Sequence, residues 1–501
     1  MLTRLEVNGF KNLLGLKIDF GPFTCIAGPN GAGKSNIFDA IHFLSLLTDL
    51  PIMEAAQRVR STQGRASDPR ELFWSDGERR LEQMSFIVEM IVPQIVTDDF
   101  GREAKATSTF LRYELRLGYE LPSTKLARLG RLVLQYESLD YIKQGDAKDH
   151  IAWASKPFRD AVISSTRHSG SGFISTTKDD DTDIYTINIH QDGGSRGLPR
   201  PSPANTAPRT AVCTTNTASD PTILAARREM QSWRIIALEP TAMRSPDAFT
   251  APTQIASNGA HMPASLYRLA TQPTEAIDES NARDEAELNP RRFYTEVTRR
   301  LARLIDAREI RIDRDDRREL LTLELRQGTG GFFPARSLSD GTLRFLALSI
   351  MDSDPSVLGL ICMEEPENGI HPLQLPAMVE LLQDIAVDAA ERPGCDNALR
   401  QVIVNTHSPG FVQLQESNDL LFAKTVMIRV TIDRGNEKKP ASVSTRALRL
   451  RPQAGTWRDE RDHDGVGMGE ILTYLSSPHG AHLSLQDLDA IPSLTELPGP
   501  P

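Results

Sequence analysis

Cysteine is scarce in this sequence and shows no metal-binding spacing. The chain has 501 residues and 4 cysteines, at Cys25, Cys213, Cys362 and Cys395. No two of them form a C-x-x-C pair, so neither a zinc site nor a disulfide framework is expected. Sparse cysteine without a pattern is typical of a reducing cytosol, and we therefore predict a cytoplasmic protein.

Long apolar runs are missing as well. The sequence has no stretch of about 18 consecutive apolar residues, which a membrane-spanning helix would need. Its first residues, MLTRLEVNGF, lack the apolar core of a signal peptide. Internal repeats and the heptads of long coiled coils are also absent. We expect a globular chain without a membrane partner, since 39% hydrophobic and 25% charged residues suit a buried core.

An excess of positive charge is absent too. The 57 lysines and arginines against 67 aspartates and glutamates give a net charge of −10. A globally acidic surface does not attract nucleic acid non-specifically, although a local basic face can still bind it. Two arginine-rich stretches, RRFYTEVTRRLAR (291–303) and RIDRDDRREL (311–320), could line such a face or form a solvated surface of mixed charge. The charge therefore neither supports nor excludes DNA as a partner.

A complete phosphate-binding loop, GPNGAGKS at 28–35, is the most specific motif present. It lies between a predicted strand, Phe23–Ala27, and a helix predicted from Lys34, which is the context that the motif requires. Its glycines let backbone N–H groups approach a phosphate. Lys34 can reach the β- and γ-phosphate oxygens, and Ser35 can place a hydroxyl on Mg²⁺. The alternative is a glycine-rich turn without a ligand.

Two glutamates end an apolar run in VLGLICMEEPE (357–367). Such a run predicts a buried central strand that delivers acids at its carboxyl edge, where open α/β sheets bind ligands. Glu364 can then hold Mg²⁺, and Glu365 can orient and deprotonate the attacking water. The alternative is a solvated pair of glutamates at the start of a helix, with Glu365 as its cap.

Two further motifs follow the same logic. LSDGT (338–342) opens a predicted helix, where Ser339 and Gly341 could form a second anion site or Ser339 could simply cap the helix. One nucleotide does not need two phosphate-binding sites from the same chain, so this second site suggests that a second copy of the chain contributes it in a dimer. VIVNTHSP (402–409) ends a predicted strand at His407, which could bind the γ-phosphate and sense its loss, or be structural.

In this order the four motifs resemble those of ABC-type ATPase heads of the SMC, RecF and OLD group. The motifs are GPNGAGKSN (28–36), SLSDGTLRFLAL (337–348), LICMEEPENGIHP (360–372) and IVNTHSPGF (403–411), after the opening LTRLEVNGFKNL (2–13). More narrowly, the chain resembles stand-alone bacterial ATPases of the AAA-type 21 family, such as the ATPase subunits of Septu-like antiphage defence systems. The resemblance implies an α/β P-loop head that binds ATP and Mg²⁺ and pairs head to head.

Residue by residue, the motifs and the resemblance predict the following site. The ATP-binding residues are Gly28, Asn30, Gly31, Gly33, Lys34, Ser35, Asn36, Ser339 and Gly341. The catalytic residues are Glu365 and His407, and the metal ligands are Ser35 and Glu364.

The predicted domain order is a head divided by an insertion. Residues 1–140 form its β-rich N-terminal part with the phosphate loop, and 141–325 an inserted, mainly helical lobe. Residues 326–480 form the C-terminal part with the signature, both glutamates and His407, and 481–501 form a tail. Within the lobe, the tract 191–222 is rich in Pro, Gly, Ser and Thr without an apolar period, which predicts a flexible segment.

Three functions compete at this point. The first is an ATPase switch that controls a separately encoded effector such as a nuclease, because little sequence follows His407 for the nuclease domain that OLD proteins carry. The second is a RecF-like, DNA-binding ATPase of DNA repair. The third is a transporter head, which Asp340 and Thr342 argue against, because transporters have Gly and Gln at these signature positions.

Overall fold

The computed structural model describes residues 1–59, 68–121, 130–165, 172–179, 184–192, 198–271, 293–394, 396–432, 441–462 and 464–476. The chain divides into two compact units. Unit 1 comprises Met1–Trp233, Asp388–Asn397 and Glu416–Pro501, and unit 2 comprises Arg234–Val387 and Ala398–Gln415. These boundaries differ from those predicted at 140 and 325, and the predicted tail 481–501 lies outside the described residues.

Runs of strands are separated by helices along the described chain. The strands are β1 Leu2–Asn8, β2 Leu16–Asp19, β3 Phe23–Ala27, β4 Gln83–Ile91, β5 Ile95–Thr97, β6 Glu103–Lys105, β7 Phe110–Glu120, β8 Arg131–Tyr141, β9 Ile174–Asp179, β10 Ile184–Ile189, β11 Arg200–Pro203, β12 Arg234–Ile236, β13 Asp247–Ala248, β14 Ala307–Asp315, β15 Leu320–Gln327, β16 Phe332–Pro334, β17 Gly359–Glu364, β18 Arg400–Thr406, β19 Leu420–Ile432 and β20 Ala441–Pro452. The α-helices are α1 Lys34–Leu46, α2 Ile52–Arg58, α3 Ala147–His150, α4 Lys156–Val162, α5 Ala211–Thr214, α6 Pro221–Gln231, α7 Pro240–Met243, α8 Met262–Thr271, α9 293–301, α10 Asp340–Ser353, α11 Leu375–Ile385, α12 Pro409–Val412, α13 Asp459–Asp462 and α14 Met468–Ser476. Within the described residues, none of these helices is long and apolar enough to cross a membrane.

Unit 1 is built on an antiparallel sheet in the order β11-β10-β9-β8-β7-β4-β1-β2. Buried and half-buried residues alternate along β7, as expected for a sheet with one face in the core. Phe10, Phe43 and Phe86 pack together under α1, with ring centroids 5.6 Å apart for Phe10 and Phe86 and 5.8 Å for Phe43 and Phe86. This aromatic contact joins the segment after β1, helix α1 and strand β4. It therefore holds α1, which follows the phosphate loop, against the large sheet.

Strand β3 is fully buried and pairs in parallel with β19, with Leu420 opposite Cys25. Strand β20 then pairs antiparallel with β19. The prediction of a strand at Phe23–Ala27 and of a helix from Lys34 is confirmed. Apolar residues on both faces of β3 explain this agreement, because a strand buried on both sides reads as a short continuous apolar run.

Unit 2 contains the parallel strands β12, β17 and β18 in that order. Every residue of β18 is buried, and β17 is buried up to its last residue, Glu364, which is exposed. In the register of this pair Glu364 lies opposite Asn405, so both strands end at the same edge. A smaller antiparallel sheet of unit 2 pairs β15 with β13, β14 and β16.

Residues 141–325 were predicted to form a mainly helical lobe, and they contain more β-strand than that prediction implies. Strands β9, β10 and β11 extend the large sheet of unit 1 beyond β8, and β14 and β15 form a hairpin in unit 2. The tract 191–222 was expected to be flexible, and its residues 193–197 lie outside the described part. Its described part instead forms β11, α5 and the start of α6.

The ordering of this tract has a physical reason in two side chains. The Thr210 hydroxyl accepts the Cys213 N–H at 3.1 Å and caps α5. The Glu137 carboxylate of β8 accepts the N–H groups of Ala211 at 2.7 Å and Val212 at 3.0 Å. Because Glu137 lies far from the tract in sequence, the composition of the tract could not reveal this contact.

Candidate functional site

The phosphate loop of unit 1 connects the buried end of β3 to the start of α1. Gly33 precedes the helix with φ of 98°, in the left-handed region that favours glycine. A Cβ atom at Gly33 would also lie 2.0 Å from the Nδ2 atom of Asn12. The Lys34 ammonium donates to the carbonyl oxygens of Gly28 at 2.7 Å and Pro29 at 2.9 Å. The loop therefore folds tightly around its own lysine.

The other predicted residues of this loop divide into an exposed tip and a helical turn. Asn30 and Gly31 are exposed at the tip. Ser35 is half-buried in the first turn of α1, and its hydroxyl makes no hydrogen bond to the described residues. The Asn36 side-chain nitrogen instead donates to the side-chain oxygen of Asn12, Oδ1, at 2.7 Å. Asn36 is thus engaged with the β1–β2 turn.

These features fit ATP and Mg²⁺. A left-handed glycine before a helix N-terminus, a lysine inside the loop and an available hydroxyl suit a nucleotide phosphate and its metal. Among the described residues, no cluster of three His, Cys, Asp or Glu side chains could hold a metal alone. Mg²⁺ usually keeps several waters and binds through one or two protein ligands and substrate phosphates.

In unit 2, Glu365 follows the exposed end of β17 in a strained conformation. Its φ is 47°, in the left-handed region that a residue with a side chain rarely adopts. Its N–H donates to the carbonyl oxygen of Asn405 at 2.9 Å, which holds the strained residue beside the end of β18. Backbone strain of this kind persists only where surrounding contacts maintain it, and it is found most often at functional sites.

Both carboxylate oxygens of Glu365 have a hydrogen-bond donor. The His407 Nδ1 atom lies 2.7 Å from Oε1, and the Asn368 side-chain nitrogen lies 2.7 Å from Oε2. Since an ionised carboxylate only accepts hydrogen bonds, His407 carries its proton on Nδ1 in this arrangement. Glu365 is about one third exposed and His407 41% exposed, so water can reach the pair.

A second carboxylate, Glu367, lies buried two residues further on. The Thr406 hydroxyl donates to one of its oxygens and accepts the Ser408 N–H at 2.9 Å. Its other oxygen, Oε2, has no hydrogen-bond partner among the described residues. Burial raises the pKa of Glu367, an effect that the Thr406 hydrogen bond partly offsets. Glu367 thereby ties the turn after β17 to the end of β18, next to His407.

The signature segment starts α10. Ser339 caps the helix by accepting the Thr342 N–H at 3.2 Å, and its hydroxyl lies 2.8 Å from that of Thr342. The structure thus shows the capping role of Ser339 directly, and its anion role stays a prediction. A Cβ atom at Gly341 would lie 2.6 Å from the carbonyl oxygen of Gly369, so only glycine permits this approach. The start of α10 therefore packs on the turn that follows Glu365.

An arginine outside all the motifs completes the signature. Arg244, which follows α7, donates to the Asp340 carboxylate at 2.5 Å and to the Leu338 carbonyl oxygen at 3.1 Å. Asp340 occupies the first helical position, where a bound anion would meet its negative charge. Arg244 balances that charge.

Sequence reasoning found two groups of residues and missed the side chains that hold them. Unit 1 brings together Gly28 to Asn36, and unit 2 brings together Glu364, Glu365 and His407 at one sheet edge. The missed residues are Asn12, Arg244, Glu367 and Asn368. Three of them lie inside motif wording, Asn12 in LTRLEVNGFKNL and both Glu367 and Asn368 in LICMEEPENGIHP, which is the signal that could have found them.

Two family models match the chain. Residues 258–413 match the model described as "AAA domain, putative AbiEii toxin, Type IV TA system". Residues 1–59 match the RecF/RecN/SMC N-terminal domain. The first match contains the signature, both glutamates and His407, and the second contains the phosphate loop.

Curated relatives match over short segments. The Structural maintenance of chromosomes protein 1 of Schizosaccharomyces pombe is 58% identical over 45 residues, which are 9% of this chain and 4% of that protein. The DNA replication and repair protein RecF of Lactococcus lactis subsp. cremoris is 32% identical over 108 residues, 21% of this chain and 26% of that protein. The chain therefore spans about a quarter or less of the length of these relatives.

Similar solved structures include two SMC heads. One is a crystal structure of the SmcHead bound to the C-winged helix domain of ScpA, with 14% identity, a TM-score of 0.43, and coverage of 88% of this chain and 98% of that chain. The other is the SMC head domain from Thermotoga maritima, with 12% identity, a TM-score of 0.35, and coverage of 89% and 98%. Together, the motif geometry and the two family matches indicate a P-loop ATPase head that is similar to those of the RecF/RecN/SMC group.

Proposed function

We propose that this chain is a Mg²⁺-dependent ATPase subunit that switches a separately encoded effector, such as a nuclease, in an antiphage defence complex. The observation that carries the catalytic part is Glu365, held by His407 and Asn368 at the edge of β17 and β18. Fixing both carboxylate oxygens orients a base before the substrate arrives, which is how positioned groups lower a reaction barrier.

The chemical roles follow from this geometry. Each Glu365 oxygen keeps a second lone pair, with which it accepts a proton from the attacking water. Lys34 binds the β- and γ-phosphate oxygens in place of the loop carbonyls that it contacts in this structure. Ser35 and Glu364 are the proposed metal ligands, and Mg²⁺, when bound, offsets negative charge on the phosphates.

His407 has a different contact from the one predicted. The sequence suggested that it binds the γ-phosphate, whereas the structure places its Nδ1 atom on Glu365. Because Nδ1 is engaged, Nε2 is the ring nitrogen left for a phosphate oxygen, to which it can donate only when both ring nitrogens carry a proton. We propose that His407 links the presence of the γ-phosphate to the orientation of the base, and so serves the switch as well as the reaction.

The partner and the dimer rest on other observations. The matched AAA model is described in terms of a toxin and a type IV TA system, which supports a role in a system of paired proteins. The signature cap at Ser339 faces solvent in part, so a second head could present its nucleotide there. ATP would then clamp two heads, and hydrolysis would release the effector.

The catalytic assignment is tested with Glu365→Gln, whose amide cannot take a proton from water. It should bind ATP, release phosphate at least about a hundredfold more slowly than the wild type, and accumulate as a dimer with ATP and Mg²⁺. Phosphate release and mass by light scattering measure these effects, with exposed Glu103→Gln as the matched control. Wild-type turnover by Glu365→Gln would refute the assignment of the base.

The effector is tested by copurification. The chain should be isolated together with the product of a neighbouring gene from its native operon, and protection against phage should require both genes. Full protection by the ATPase alone would overturn the proposed switch.

A RecF-like DNA-binding ATPase is the second candidate, favoured by the match to RecF proteins. The arginine-rich stretch 311–320 lies in the β14–β15 hairpin, where Arg311 pairs with Glu324 at 2.6 Å and Arg314 pairs with Asp316 at 2.7 Å. Residues 291–292 of the other stretch lie outside the described part, and its Arg303 pairs with Glu380 at 2.7 Å. These ion pairs support the reading of a mixed-charge surface.

DNA binding distinguishes this candidate. A RecF-like clamp should bind duplex DNA only with ATP, and its affinity should fall steeply as the salt concentration rises. Absence of ATP-dependent binding at low salt would remove the candidate.

A further inference from the structure

The turn between β1 and β2 lies directly against the phosphate loop. The Asn12 side-chain nitrogen donates to the carbonyl oxygen of Ala32 at 3.1 Å, and its oxygen accepts the Asn36 amide at 2.7 Å. The same nitrogen occupies the space that a Cβ atom of Gly33 would need. One side chain thus contacts the last residues of the loop and the first turn of α1.

The backbone of this turn is itself held from several sides. The Lys11 N–H donates to the Leu72 carbonyl oxygen at 2.8 Å, and the Leu448 N–H donates to the Asn12 carbonyl oxygen at 3.3 Å. The Arg449 guanidinium donates to the Leu14 carbonyl oxygen at 2.8 Å. Asn12 therefore projects from a fixed support, so its amide can impose a position on the phosphate loop.

A second tie from the same turn reaches α1 one helical turn further along. The Lys11 ammonium pairs with Asp39 at 2.7 Å, and both side chains are largely buried. Lys11 adopts a φ of 47°, a left-handed conformation that is unfavourable for lysine. The strained turn thus contacts α1 at two residues, Asn36 and Asp39, which face the same side of the helix.

The chemistry of the Asn12 contact requires an amide. Ala32 offers a carbonyl oxygen that needs a donor, whereas the Asn36 nitrogen needs an acceptor. Asn supplies both from one planar group, while Asp can only accept and Leu can do neither. Losing such a group leaves both partners without a hydrogen bond in a part-buried site, which costs more than a mean hydrogen bond contributes.

We propose that Asn12 is a positioning residue that holds the phosphate loop in its ATP-binding conformation. This inference rests on the proposed ATPase function, because it assigns the support of that same loop. A pre-formed loop lowers the ordering cost of binding, so Asn12 acts on nucleotide affinity more than on the chemical step.

The test compares Asn12→Leu with Asn36→Ala and with the double variant. Asn12→Leu keeps the approximate shape of the side chain and removes both hydrogen bonds, whereas Asn36→Ala removes one. A fluorescent ATP analogue should bind Asn12→Leu about tenfold more weakly than the wild type. The KM for ATP should rise, while kcat changes less than about twofold. The double variant should bind no more weakly than Asn12→Leu, because the two residues form one network.

Controls separate this role from general folding. Asn188→Ala, at a half-buried position of strand β10 in a different part of the large sheet, should keep wild-type affinity, and the melting temperatures of all variants show that each is folded. Lys34→Ala should lose nucleotide binding. If Lys34→Ala instead binds normally, the ATPase proposal fails and this inference fails with it. If Lys34→Ala loses binding but Asn12→Leu keeps wild-type affinity, only the role of Asn12 is overturned.

Discussion

Glu137 gives the prediction with the most direct physical basis. This carboxyl group of β8 is 0% exposed and has no ion-pair partner among the described residues. It accepts hydrogen bonds from the N–H groups of Ala211 and Val212 and from the Tyr113 hydroxyl, the last at 3.1 Å. Burial raises its pKa from 4.5 to about 7, although these three hydrogen bonds act in the opposite direction.

The sign and size of the effect follow from this shift. The folded chain binds the Glu137 proton more tightly than the unfolded chain, so protonation stabilises the fold. The contribution is complete below pH 4.5 and is lost as the pH rises to about 7. At about 1.4 kcal/mol for each pKa unit, ionised Glu137 destabilises the fold by roughly 3 kcal/mol above pH 7.

The perturbation is Glu137→Gln. The N–H groups of Ala211 and Val212 donate to different oxygens of the carboxylate, so the single amide oxygen of glutamine keeps one of these hydrogen bonds and loses the other. The amide does not ionise. We expect the stability of the variant relative to the wild type to rise by up to about 3 kcal/mol between pH 5 and pH 8. At pH 5, where the folded wild type is neutral at this position, the lost hydrogen bond should make the variant less stable by about 1 kcal/mol. Glu137→Ala should be less stable than Glu137→Gln at both pH values by about 2 kcal/mol, since it leaves the buried N–H groups unpaired.

Urea unfolding at pH 5 and pH 8 measures these differences. Glu120→Gln is the matched control, because Glu120 is exposed on the neighbouring strand β7 and its variant should show no pH-dependent difference. A difference between Glu137→Gln and the wild type that is the same at both pH values would refute the reasoning. It would mean that the buried carboxyl titrates alike in the folded and unfolded chains.

Two further predictions concern the site of unit 2. Asn368→Ala should lower kcat about tenfold with little change in the KM for ATP, because the substitution removes the hydrogen bond to one oxygen of the Glu365 base. Single-turnover phosphate release measures this rate. An unchanged rate would argue against positioning of Glu365 by Asn368. Arg244→Ala should lower steady-state turnover about tenfold, and adding Asp340→Asn should restore most of it, because Arg244 balances the Asp340 charge. Failure of the second substitution to restore activity would mean that Arg244 acts in another way.

Local patterns carried the successful predictions. The phosphate loop, strand β3 and helix α1 are contiguous in sequence, and their motif and apolar period are visible without any distant contact. The same holds for β17, where an apolar run ends in Glu364 and Glu365. The tract 191–222 misled because its composition describes only local propensity, whereas Glu137 stabilises α5 from 74 residues away.

The amino-acid sequence by itself determined the local elements that surround the motifs, and it predicted which residues carry the chemistry, because phosphate binding and proton transfer require particular side chains at short spacings. Tertiary structure alone decided their partners. His407 meets Glu365 across 42 residues, and Asn12 meets Ala32 across 20. Such pairs depend on which strand ends and turns come together in space, and pKa shifts such as that of Glu137 depend on burial. Neither quantity is a property of a short stretch of sequence, and both arise only when the chain folds.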